Sequence, residues 1–171
     1  MIKRAWWISL VALACVTSTQ PDDDDATPRD DGGDAPRSGV VLHDAIEYSG
    51  DVAVMESFPV QLRGRVTITN RGSQGRTITF PDGCVALLRA YRPGESEPVW
   101  DQSSELACTM ALVPVTLAAG ESSEVSTPTA SAADILDDRL PDGEYRIAIY
   151  LRPDGDEVEI DGGTVDLAIP R

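Results

Sequence analysis

Along residues 61–69 the chain alternates: Leu62, Gly64, Val66 and Ile68 fall on one face, and Arg63, Arg65, Thr67 and Thr69 on the other. A period of two describes a strand with one face on a core and one in water. The polar stretch Asn70-Arg71-Gly72-Ser73-Gln74-Gly75 has turn chemistry, and residues 76–80 resume as a strand, so the pair reads as a hairpin. Tyr145, Ile147, Ile149 and Leu151 alternate in the same way farther on. Apolar runs at 40–42, 52–55 and 84–91 and a short one at 98–100 add strands, as do 113–117 and 123–127 around Ala118-Ala119-Gly120-Glu121-Ser122. Residues 158–160 and 164–169, either side of Asp161-Gly162-Gly163, read as a closing hairpin. One helical turn is expected from Ser131 to Leu136, with Ser131 as N-cap, Asp134 three residues on and Pro141 past the end. About eight or nine short strands with turn signals every 8–12 residues predict an all-β, immunoglobulin-like two-sheet Greek-key sandwich with one short helical turn. A small closed barrel is the alternative.

The first 39 residues have a different texture. Lys3 and Arg4 precede an apolar run over 5–14, too short to span a bilayer as a helix, and Ala12-Leu13-Ala14 leads into Cys15. This is the layout of an export signal over 1–15. The cysteine at its end resembles the lipobox of bacterial lipoproteins, with Ala12 and Leu13 in swapped order, and Cys15 as the lipid anchor. An ordinary cleaved signal with an incidental Cys15 is the alternative. Residues 16–39 hold Pro21-Asp22-Asp23-Asp24-Asp25 and Arg29-Asp30-Asp31-Gly32-Gly33-Asp34 without apolar periodicity. Like charges and few apolar groups make a self-repelling acidic linker, leaving 40–171 as the folded domain. On these grounds the protein is expected to be exported and held at the bacterial cell envelope.

Charge and composition narrow the functions. The formal net charge is −15, a field that repels nucleic-acid phosphates. The single histidine, His43, has no nucleophile or metal-ligand pattern around it. There is no Gly-x-Ser-x-Gly elbow, no His-Glu-x-x-His and no phosphate-cradling glycine loop. Catalytic residues are therefore not assigned, nor is a cofactor or metal. The aspartate run at 22–25 lacks the alternation of a calcium loop, and Asp154-Gly155-Asp156 with Glu157 and Glu159 fits no EF-hand spacing.

Three cysteines are present. Cys84 and Cys108 lie 24 positions apart around a strand, a Pro-Gly turn and Trp100. In an oxidising compartment they are expected to bridge, with two buried free thiols as the alternative. A loop of that size would stabilise the fold by about 3 kcal/mol through the unfolded state. Trp100 is the candidate core tryptophan. Gly143-Glu144-Tyr145 at a strand start after a short helix reads as a tyrosine corner, with an ordinary core Tyr145 as the alternative.

The order of several motifs resembles the family of the intracellular proteinase inhibitor BsuPI. They are Val66-Thr67-Ile68-Thr69-Asn70 with its polar turn, Val99-Trp100-Asp101-Gln102-Ser103, Leu117-Ala118-Ala119-Gly120-Glu121-Ser122 and Leu140-Pro141-Asp142-Gly143-Glu144-Tyr145. The resemblance covers residues 52–151 and implies an immunoglobulin-like β fold and binding to a serine protease. The family commonly has a second Trp where this chain has Ser126-Thr127.

Two functional expectations follow. The first is a non-catalytic, monomeric binding module, in its concrete form an inhibitor of serine proteases. Its candidate loops are 70–75, 92–98 and 129–140. The middle one, Arg92, Pro93, Gly94, Glu95, Ser96, Glu97 and Pro98, is favoured because two prolines stiffen it and the bridge is expected to hold it near the core. The second is a structural or assembly protein of the envelope that binds another protein through a sheet edge.

Overall fold

The computed structural model describes residues 38–55, 57–137 and 139–169. The signal, Cys15 and the linker up to residue 37 lie outside the described residues. In chain order the strands are β1 (Ser38–His43), β2 (Ile46–Met55), β3 (Gln61–Asn70), β4 (Arg76–Phe80), β5 (Ala86–Tyr91) and β6 (Trp100–Asp101). They continue as β7 (Val113–Leu117), β8 (Ser122–Ser126), β9 (Ala130–Ser131), β10 (Gly143–Leu151) and β11 (Val158–Leu167), with one helix, α1 (Ala132–Leu136). β1 starts at Ser38, two residues before the expected domain boundary.

All pairings are antiparallel. One sheet runs β1-β2-β3-β8, with β9 also on β3; the other runs β11-β10-β5-β6; β4 and β7 form a separate ribbon. The chain crosses between layers at β3–β5 and β6–β8, which makes an all-β sandwich rather than a closed barrel. The expected alternations are realised. Leu62, Val66 and Ile68 of β3 share one buried cluster with Tyr145, Ile147 and Ile149 of β10 and with Tyr48, Leu88 and Trp100. Tyr145 is 2 % exposed and its hydroxyl donates to Pro141 O at 2.7 Å, the tyrosine corner. Ser131 caps α1 in a full capping box with Asp134. Among the described residues no helix is long and apolar enough to cross a membrane.

Two expected hairpins are not formed. β3 and β4 do not pair with each other: β3 pairs β8 and β4 pairs β7. The turn residues are real, but they carry the chain out of one sheet into the ribbon, and residues 118–121 make the matching corner alongside. Asn70, 1 % exposed, holds both corners together. Its amide nitrogen donates to Gln74 O, Leu117 O and Ala118 O at 2.8, 3.2 and 3.1 Å, while its Oδ1 accepts from Gly72 N at 2.9 Å. Its backbone N–H and C=O bond Glu121 O and Gly120 N, each at 2.9 Å.

The second correction concerns residues 158–167, which form one strand rather than two. Asp161-Gly162-Gly163 is a bulge: between Arg146 and Ala148 the register on β11 jumps from Thr164 to Asp161. Gly162 packs so closely that an added Cβ would lie 2.3 Å from Val52 Cγ2. Gly162 therefore serves a close approach within a strand and Gly163, at φ 80°, the bulge itself, not a reversal.

Candidate functional site

Cys84 and Cys108 form a disulfide with their Cα atoms 5.5 Å apart. Both are half-buried. The bridge does not cross the middle of the sandwich; it ties two surface segments, 81–85 and 105–112, at one end of β5. Loop 92–98 leaves the other end of β5, so the expectation that the bridge braces that loop is corrected by the direction of the strand. Arg92, Pro93, Gly94, Glu95, Ser96 and Glu97 are exposed, and Pro98 is half-buried. Their backbone curls: Glu95 N donates to Arg92 O at 3.1 Å and Gly94 has φ 81°.

The bridged segment has the opposite character. Beyond β6 a short 3-10 turn, Gln102–Ser104, is capped by Asp101, whose Oδ1 accepts from Ser103 N at 2.9 Å. Gln102, 3 % exposed, locks this turn to the sandwich. Its Oε1 accepts from Leu88 N at 3.0 Å and its Nε2 donates to Pro128 O at 3.2 Å. From there residues 106–112 run without turn or bend into β7. They are solvent-exposed except for half-buried Cys108; Met110 is 98 % exposed and Leu112 68 %.

The segment is fastened on both sides of Met110. Upstream stand the disulfide and a bond from Gly83 N to Thr109 O at 3.0 Å. Gly83 lies close against the Thr109 side chain, whose hydroxyl would have to rotate away to admit a Cβ there. Downstream, Val113 pairs in register with Phe80. The 81–85 side is itself anchored: Asp82 Oδ1 accepts from Cys84 N at 2.9 Å, and Asp82 Oδ2 pairs Arg152 Nη2 at 2.6 Å. Leu112 turns towards a shallow cleft of about 300 Å³ shared with Thr79, Pro81, Asp154 and Gly155.

Among the described residues no arrangement for chemistry stands out beside this. Asp82, Cys84 and Cys108 offer clustered ligand atoms, but the sulfurs are bonded to each other and Asp82 is engaged by Arg152. Asp154 accepts from Thr79 N at 2.8 Å and Asp156 pairs His43 at 3.1 Å, so these acids hold the fold's own donors rather than converging. The outer face of the β5–β10–β11 sheet carries a polar network that sequence reasoning missed. Arg89 stacks 3.6 Å over Tyr150 and pairs Asp101 and Glu157 at 2.8 and 2.6 Å. Arg146 stacks 3.9 Å over Tyr91, whose hydroxyl donates to Glu159. Burial, then the Glu159 carboxylate, pushes the Tyr91 phenol up to about 12. The outward positions of three adjacent strands were the available signal, but only strand order brings them together.

The family model described as BsuPI, intracellular proteinase inhibitor, matches residues 47–155, a span that contains the bridge and the exposed segment. None of the curated proteins matches the chain. The word intracellular in that description overturns the expectation of an exported, envelope-anchored protein. Cys15, on which the anchor rested, lies outside the described residues.

Proposed function

The chain belongs to the BsuPI family of intracellular proteinase inhibitors, and from that premise we propose that it inhibits a serine proteinase by presenting residues 106–112 to the active-site cleft. Proteinases bind substrate chains in extended form, so a competing segment has to be extended, exposed and already ordered. The carrying observation is that 106–112 runs exposed, without helix, turn or bend, while fastened at Thr109 and the disulfide on one side and at β7 on the other. Restraint before binding matters because ordering a free loop costs about 0.5–1.5 kcal/mol per immobilised side chain. Loop 92–98 is as exposed, but its turn directs the backbone back on itself and leaves no extended stretch to lie along a cleft.

The chain's role is stoichiometric rather than catalytic. The experiment is titration of the full chain against subtilisin-like, chymotrypsin-like and trypsin-like enzymes. The expected result is loss of at least one activity at near-equimolar inhibitor, with crosslinks from the enzyme mapping to 106–112. If a large excess leaves all three unchanged, the reading fails.

A further inference from the structure

We infer that Met110 is the residue that fills the target enzyme's primary specificity pocket, so that the partner is a proteinase whose pocket accepts a long, unbranched apolar side chain. This rests on the proposed inhibition through 106–112 and deepens it. Three features single out Met110 within the segment. It is 98 % exposed, against 36 % for Leu106 and 68 % for Leu112. Cys108 is committed to the disulfide and the Thr109 carbonyl to Gly83 N. Leu112 lines the protein's own cleft. Met110 thus projects from the short interval between two fixed points, with Ala111 after it, small enough to leave room for the enzyme's wall.

The chemistry of the side chain names the partner class. An unbranched thioether suits deep apolar pockets and brings no charge. A pocket floored by a carboxylate, built for Lys or Arg, would gain nothing from it and would bury an unpaired charge. Subtilisin-like and chymotrypsin-like enzymes are therefore the expected targets, and trypsin-like enzymes are not. The peptide bond between Met110 and Ala111 lies where the enzyme's nucleophile would be.

The test uses the full chain and its Met110→Ala and Met110→Lys variants, with circular dichroism as a fold control that so exposed a position should leave unchanged. Met110→Ala is expected to weaken inhibition of the apolar-pocket enzymes on the order of 10- to 100-fold, the loss of one buried apolar side chain at an interface. Met110→Lys is expected to transfer inhibition to the trypsin-like enzyme. Should both variants inhibit as the parent does, Met110 is not the pocket residue, although inhibition itself stands. Should the parent inhibit none of the enzymes, the underlying reading falls first and takes this one with it.

Discussion

Replacing both Cys84 and Cys108 by alanine separates what the disulfide does for the fold from what it does for the segment. The two residues are 24 apart in sequence, and a cross-link closing a loop of that length restricts the unfolded chain by about 3 kcal/mol. A domain of this size melts roughly 3–5 °C lower per kcal/mol lost, so the melting temperature is expected to fall by ~10 °C. Far-UV circular dichroism at 25 °C should stay that of the parent, since the bridge joins surface segments and the buried cluster around Tyr48, Trp100 and Tyr145 does not depend on it. The segment should respond more strongly than the fold. With the sulfurs gone, Thr109 O to Gly83 N is the remaining upstream tie described, and each freed residue adds about 1–2 kcal/mol of backbone ordering to the cost of binding. Cleavage within 106–112 by a non-target proteinase should accelerate, and inhibition of the target should weaken by tenfold or more. Thermal melts, timed digestion with mass spectrometry and inhibition constants supply the readouts. A melting temperature within 2 °C of the parent would refute the unfolded-state argument, and an unchanged digestion rate would refute the assignment of the bridge as the segment's fastening.

Other positions give independent checks. Asn70→Ala leaves the carbonyls of Leu117, Ala118 and Gln74 without their shared donor, and should lower unfolding free energy by about 2–4 kcal/mol. A loss under 0.5 kcal/mol in chemical denaturation would mean that the corners hold without it. Tyr145→Phe removes the 2.7 Å bond to Pro141 O and should cost about 1 kcal/mol while leaving inhibition unchanged. Burial, first of all, pushes the Tyr48 and Tyr91 phenols each up to about 12, whereas an unfolded tyrosine titrates near 10. Between those values the native state binds more protons than the unfolded one, so stability is full below about pH 10 and declines as pH rises through 12. Alkaline unfolding curves of Tyr48→Phe and Tyr91→Phe should be flatter over that window; identical curves would contradict the shifts.

The strands with a clean period of two were readable because one buried face imposes it locally. Residues 61–69 and the run from Tyr145 to Leu151 needed nothing beyond their own alternation, and the capping box at Ser131 and the tyrosine corner were equally local. Pairing was not readable. Turn residues at 70–75 state that the chain bends, not which strand it meets next; that is decided by Asn70 reaching Leu117 O, 47 residues on. Asp161-Gly162-Gly163 misled for the same reason, because glycines suit a reversal and a close contact with Val52 alike. The candidate segment was hidden by its composition. Leu106-Ala107-Cys108-Thr109-Met110-Ala111-Leu112 is apolar enough to pass for core, and its exposure exists only once β4 and β7 have paired beside it. Loop 92–98 drew attention through its prolines, which report stiffness but not shape.

The double fastening around Met110 bears on what happens after an enzyme attacks. In an ordinary substrate, scission lets two fragments drift away, and dilution makes the step irreversible. Here the newly made carboxylate would stay moored through Cys108, and the newly made amine through Val113, a few residues off. Two such ends kept side by side meet at high effective molarity, so resealing competes with departure and the nicked chain keeps occupying the cleft. Durability under attack would come from where the knots are tied, not from any resistance of the bond itself.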